Sequence, residues 1–156
     1  MNMALTTELP GAFNLAEATR IHYSGSPSFD YPIDYAVSVV EADAAAGRID
    51  FLGRWAPNSY CHYHRHLGTT MAVVIEGEQH LTETTEYETV TKVRSVGFSG
   101  QVPDGEQHME RAGATGLTML FSVHCPDGRL FEVLDHAGNV LADATIAEFL
   151  EQTLVN

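Results

Sequence analysis

Cysteine is scarce in this 156-residue chain: only Cys61 and Cys125 are present, and no CxxC pair exists. That excludes a vicinal redox pair and a four-cysteine zinc site within the chain. Basic residues are also few, eight Lys plus Arg against 21 Asp plus Glu, for a net charge of −13. Such a surface repels phosphate backbones and anionic lipid, so neither nucleic acid nor a membrane is expected as a partner. No apolar run approaches the length of a bilayer span. The first residues lack a basic start followed by an apolar stretch, so no secretory leader is expected, and the expected location is cytoplasmic. No Pro/Gly-rich linker divides the chain, and no repeat longer than a hairpin recurs.

The residues that are present suit one globular domain: hydrophobic residues make up 44% of the chain, and this length can bury a core without staples. The expected organisation is an arm over 1–34, a barrel over 35–142 and a terminal helix over 143–156. In the arm, residues 14–20 read as a short helix capped by Asn14, and Pro27 and Pro32 interrupt any regular element after it. The β-branched run 35–40 reads as a strand, followed by a small-residue connector over 41–47. In 48–55, Ile49, Phe51 and Trp55 alternate with Asp50 and Arg54, the period of a half-buried strand. Residues 72–77 read as a strand closing on Gly77, the Thr-rich stretch 78–96 as hairpins, 116–123 as a fully apolar strand, and 129–135 as the start of a last hairpin. Residues 143–154 form an amphipathic helix pattern with Ile146, Phe149, Leu150 and Leu154 on one face and Asp143 or Thr145 as cap. Many short strands with one terminal helix predict an all-β barrel or jelly roll.

Eight histidines equal the Lys plus Arg count, and three of them, His62, His64 and His66, alternate within five residues. On a strand, alternate side chains share a face, so three imidazoles would line about 14 Å of one surface. Each ring demands two hydrogen-bonding partners or a metal, and imidazole is a ligand for Fe, Zn, Cu and Ni. A fourth histidine, His108, comes after Pro103 and Gly105, a turn that leads into another strand. By the same alternation, Cys61 and Tyr63 should point away from the histidine face, Cys61 as a packing residue.

The chain resembles the cupins. The first cupin motif runs HxH, a short spacer, Glu, six further residues and Gly; here His64-Arg65-His66 lead, Thr70 stands in the Glu position, and Gly77 closes it. The second motif is matched by Gly97, Pro103, Gly105 and His108, with Ala112 where the family has Asn. The resemblance covers about residues 48–125. It implies a cupin double-stranded β-helix, a jelly-roll barrel with a short N-terminal arm and a C-terminal helix. It also implies metal ligands His64, His66 and His108, with His62 in the pocket wall; a register shifted by two would put His62 and His64 in the ligand pair instead. Likeness to other cupins further suggests a homodimer.

Threonine is a poor ligand for a divalent metal, so the resemblance points to a three-histidine site with its 2+ charge less compensated than in the four-ligand form. Three-histidine cupins include dioxygenases that cleave a carbon–carbon bond of β-diketones or hydroxyketones, and the match is closest to the 2,4'-dihydroxyacetophenone dioxygenase-like group. The resemblance therefore implies Fe(II), with Zn or Ni as other occupants, and a small-molecule substrate together with O2. Glu110, His62 and Tyr60 are the further catalytic candidates; Glu110 shares strand parity with His108. His80 reads as a packing or surface residue. Two other readings stay open: a non-catalytic metal-binding sensor or anti-sigma-like module, and a zinc-dependent hydrolase or lyase.

Overall fold

The computed structural model describes residues 20–25 and 29–154. Ten strands and one helix run in order: β1 (Ile21–Ser24), β2 (Asp34–Asp43), β3 (Arg48–Trp55), β4 (His64–His66), β5 (Thr69–Thr84), β6 (Thr89–Ser95), β7 (Ser99–Val102), β8 (Gln107–His124), β9 (Arg129–Leu134), β10 (Val140–Thr145) and α1 (Ile146–Leu154). The all-β jelly roll expected from the strand pattern is what the chain forms.

Two long strands organise it. β5 and β8 pair antiparallel from Thr69↔His124 to Glu83↔His108. The first half of β5 and the second half of β8 belong to one arm, continued by β3, β2 and β1 on one side and by β7 on the other. The second half of β5 and the first half of β8 belong to the other arm, flanked by β6 and by β4, β9 and β10. Both strands bend between the arms. Register shifts fall at Val74/Glu76 and Gly77/Gln79, and Gly77 (φ 76°) lies against Gly116 (φ 89°), where a Cβ on Gly77 would stand 2.0 Å from the Gly116 carbonyl oxygen. Only glycine combines that backbone with that approach. The strand expected to close on Gly77 therefore continues through it, because a bulge can be absorbed within one strand.

The bend brings the apolar faces together. β3 buries Ile49, Phe51, Gly53 and Trp55 in strict alternation, as its sequence predicts. Phe51 meets Phe121 at 5.1 Å in a stacked pair and Phe149 at 5.6 Å edge-on, which joins β3, β8 and α1 in one core. The helix begins later than expected, because residues 143–145 extend β10. Thr145 is its cap: the Glu148 N–H donates to Thr145 Oγ1 (3.1 Å) and the Thr145 N–H to Glu148 Oε2 (2.9 Å), a capping box. Asp143 instead pairs with Arg129 at 3.2 Å. Ile146 and Phe149 are buried and Leu150 packs against them; the Leu154 side chain lies outside the described set.

Two further expectations change. The arm before residue 35 contributes β1, paired to β2, while the helix expected over 14–20 and Pro27 fall outside the described residues. The connector expected over 41–47 is shorter: β2 runs to Asp43, and the turn closes on Gly47 at φ 66°. Among the described residues, no helix is long and apolar enough to cross a membrane.

Candidate metal centre

β4 sits between β8 and β9, with His64 opposite His108 on one side and opposite Val133 on the other. The Pro103–Gly105 turn is pinned onto it: the Gly105 N–H donates to the His66 carbonyl (2.8 Å) and the His66 N–H to the Glu106 carbonyl (2.9 Å). These bonds set the start of β8 beside His66, so His108 enters the strand aimed at the HxH pair. The three Nε2 atoms converge. His64 and His66 bring theirs to 3.2 Å, and His66 and His108 to 3.1 Å. Ligand atoms 2.0–2.1 Å from a common ion stand about 2.9–3.4 Å apart in octahedral or tetrahedral geometry, so the spacing fits one divalent cation.

The outer edges of the rings support this. His64 Nδ1 lies 2.8 Å from the His62 carbonyl and His108 Nδ1 lies 2.9 Å from Glu106 Oε1. Neither partner can donate, so both Nδ1 atoms carry the proton and both Nε2 atoms present lone pairs to the centre. His66 Nδ1 meets the Thr70 hydroxyl at 3.0 Å. The threonine in the glutamate position thus orients a ligand ring from behind. Burial holds the His64 imidazole down at about 4 and those of His66 and His108 well below their ordinary value, with neighbouring imidazoles adding to the effect. The lone pairs of His64 and His108 both point toward the third ring, a convergence that a cation between the three would satisfy. Among the described residues, His64, His66 and His108 form a cluster able to hold a divalent metal.

Carboxylates enter from β8 and the residue just before it rather than from β5. Glu106 reaches His108 from outside, and the buried Glu110 brings Oε1 to 3.7 Å from His108 Nε2. Glu110 receives hydrogen bonds from Gln79 Nε2 (3.1 Å) and from the Cys61 thiol (3.4 Å). Burial pushes its carboxyl up to about 7 against the pull of those bonds. Both carboxylates reduce the charge deficit that Thr70 implies.

Cys61 corrects the parity argument. Residues 61–63 are not strand, so alternation does not extend back from β4. The Cys61 side chain is buried on the cavity side, 3.9 Å from His64 Nδ1, and its sulfur also accepts from the Glu110 N–H (3.2 Å). Tyr63 turns elsewhere and pairs with Gln107. The His62 ring lines the cavity, with Nδ1 3.0 Å from the Tyr35 hydroxyl. Tyr60 bridges Ile33 and Arg111 through its backbone, packs on Tyr31 at 5.4 Å, and is not among the described residues lining the cavity. His80 lies apart, between Glu78 (2.6 Å) and Arg111 (3.1 Å).

The cavity holds about 630 Å³, in the usual range for small-molecule sites. Its walls are largely aromatic. Tyr35 stacks between Tyr23 (4.9 Å) and Trp55 (5.7 Å), and Phe131 sets its edge against the His64 and His66 rings at 5.2 and 5.1 Å. Sequence reasoning overlooked Tyr35, Glu106, Gln79 and Phe131. Glu106 alone had a signal, since Glu106, His108 and Glu110 alternate as His62, His64 and His66 do.

Neither a family model nor a curated protein matches this sequence. Solved structures do match the fold. An acetylacetone dioxygenase from Acinetobacter johnsonii is 14% identical, with 99% of this chain and 96% of that chain covered at a TM-score of 0.71. An RmlC-like cupin protein from Ralstonia eutropha is 15% identical, with 86% and 80% covered at 0.66. An oxalate decarboxylase from Lactobacillus farciminis is 18% identical over 74% of this chain and 32% of that chain, at 0.58. Two arms joined through β5 and β8, three histidines gathered where the second arm begins, and overlap with these solved structures at TM-scores of 0.58 to 0.71 lead to one statement: this chain has the cupin fold.

Proposed function

We propose that this protein is an Fe(II)-dependent dioxygenase that cleaves a carbon–carbon bond of a β-diketone or hydroxyketone. One observation supports the reading above all: three Nε2 atoms converge beside a buried carboxylate at a large aromatic cavity. The near full-length overlap with an acetylacetone dioxygenase agrees with it. His64, His66 and His108 would hold the iron. Bound iron supplies redox chemistry toward dioxygen and Lewis acidity toward a chelating ketone.

The chain's own residues do the rest. With His64 and His66 of β4 and His108 of β8 holding it, the ion would be reached by a chelating ketone from the cavity that His64 and His66 line. Glu110 stands next to the ligand triangle, with Gln79 and Cys61 fixing its two oxygens, and takes the acidic C–H proton of the ketone as it becomes an enolate. Phe131 and the ring wall keep water from the reacting carbon.

The test is oxygen uptake by Fe(II)-loaded protein supplied with acetylacetone or 1-phenylbutane-1,3-dione. Equimolar loss of dioxygen and diketone, with a carboxylic acid formed, is the expected result. Activity that persists without oxygen in zinc-loaded protein would overturn the reading.

A further inference from the structure

Away from the histidine triangle the cavity wall carries two hydrogen-bonded side-chain pairs, Tyr35 with His62 at 3.0 Å and Tyr23 with Gln152 at 3.5 Å, and the first is the closer. Tyr35 is partly buried, and among the described residues its hydroxyl has one polar neighbour, His62 Nδ1 at 3.0 Å. Two proton arrangements are open to such a pair. If Nδ1 carried the proton, the phenol would have to turn its own proton into the cavity, where no described side chain accepts it. If the phenol donates to Nδ1, both groups are paired and the imidazole proton moves to Nε2. The pair therefore favours one tautomer, in which a ring that lines the cavity offers an N–H donor. Aromatic edges hold the ring in place, Phe29 at 4.9 Å and Tyr35 at 5.9 Å.

The remaining lining defines what that donor meets. Among the described residues it includes no Lys and no Arg, while Glu110, Asp143 and Glu148 are part of it. Away from the metal, a carboxylate-bearing substrate would meet carboxylates of its own sign and no side-chain cation. The stacked rings of Tyr23, Tyr35 and Trp55, and those of Phe51 and Phe121, offer a surface that gains most from another flat ring.

We propose that the Tyr35–His62 pair is the substrate-reading element of this cavity, presenting the His62 Nε2–H to an oxygen of an uncharged, ring-bearing ketone. The proposal rests on the dioxygenase reading for the ketone and on the cavity alone for the ring and the lack of charge. Tyr35 is a positioning residue, and His62 makes the contact.

Zinc-loaded protein is suited to the test, because zinc undergoes no redox change and binding is read without turnover. Trp55 is the chain's only tryptophan and lines the cavity, so its fluorescence reports occupancy. 1-Phenylbutane-1,3-dione should bind at least about tenfold tighter than acetylacetone, and oxalate more weakly than either. Tyr35→Phe keeps the stacked ring and frees the imidazole; it should weaken binding of the phenyl diketone about three- to tenfold with metal content unchanged. Nitrogen-15 NMR of histidine-labelled wild-type protein should show His62 protonated at Nε2, a readout that does not depend on any variant folding. Oxalate binding tighter than the phenyl diketone, unchanged affinity in a folded Tyr35→Phe protein, or a proton on Nδ1 overturns the proposal. Phenyl diketone bound as expected but never oxidised by the iron form would sink the dioxygenase reading and leave this one standing.

Discussion

The metal end of the cavity and its aromatic wall are built in opposite ways. At the metal end each imidazole is oriented by a group near it in sequence: the His62 carbonyl for His64, Thr70 for His66 and Glu106 for His108. The wall is assembled from rings on β1, β2, β3, β8, β9 and α1, and its polar pairs join residues far apart in sequence, Tyr35 with His62 across 27 residues and Tyr23 with Gln152 across 129. The ligand cluster is oriented locally, and the cavity wall is set by packing. A site built in this way could change what it admits without disturbing its three histidines.

The sharpest way to break the comparison is to exchange the two kinds of histidine. His108→Ala should abolish metal retention, since two imidazoles rarely hold an ion tightly. His62→Ala should leave metal content near that of the wild type. Metal analysis of protein purified without added metal decides both, and loss of metal from His62→Ala with retention in His66→Ala would mean that the ligand pair is shifted by two residues.

Next in size is Glu110→Gln, which keeps shape but removes the base. Turnover should fall about 10²- to 10⁴-fold while metal content holds. A metal-free Glu110→Gln protein would show instead that the carboxylate serves the ion.

Acid probes the buried cluster as a whole. In metal-free protein His64 titrates near 4 when folded and near 6.5 when unfolded. The unfolded chain therefore binds more protons between those values, and stability falls as pH drops through that window. His64 contributes about 1.4 kcal/mol per pH unit there, and His66 and His108 act in the same direction. Thermal melts at pH 7 and pH 5 should show the loss, and a flat profile would contradict neutral, buried rings.

The smallest effects concern the groups behind the ligands. Thr70→Val and Glu106→Gln should each weaken metal affinity about 10- to 100-fold, measured by competition with a chelator. No change in Thr70→Val would mean that the hydroxyl does not fix the His66 ring.

Much of this was legible in the amino-acid order because it depends on spacing. Alternation over 48–55 gives β3, and HxH with the Pro103–Gly105 turn before His108 gives the ligand set. The cavity wall was not legible. Tyr35 reads as one more apolar strand residue, and nothing near it in sequence announces Trp55 on one side and His62 on its hydroxyl. Cys61 was assigned to the wrong side because alternation holds only where the chain is extended strand, and β4 begins three residues later. Thr70 was read only for what it fails to do as a ligand, since its contact with His66 depends on how the chain turns at Gly68.

That contact has a consequence for how the molecule assembles. Thr70 belongs to the arm containing β3 and β7, and the three ligand histidines to the arm containing β4 and β9, so the support behind His66 reaches it from across the barrel. A half-closed barrel would offer the three rings but leave His66 free to turn. Closure should therefore tighten metal binding, and an ion held there would in turn oppose reopening, a clasp on the fold.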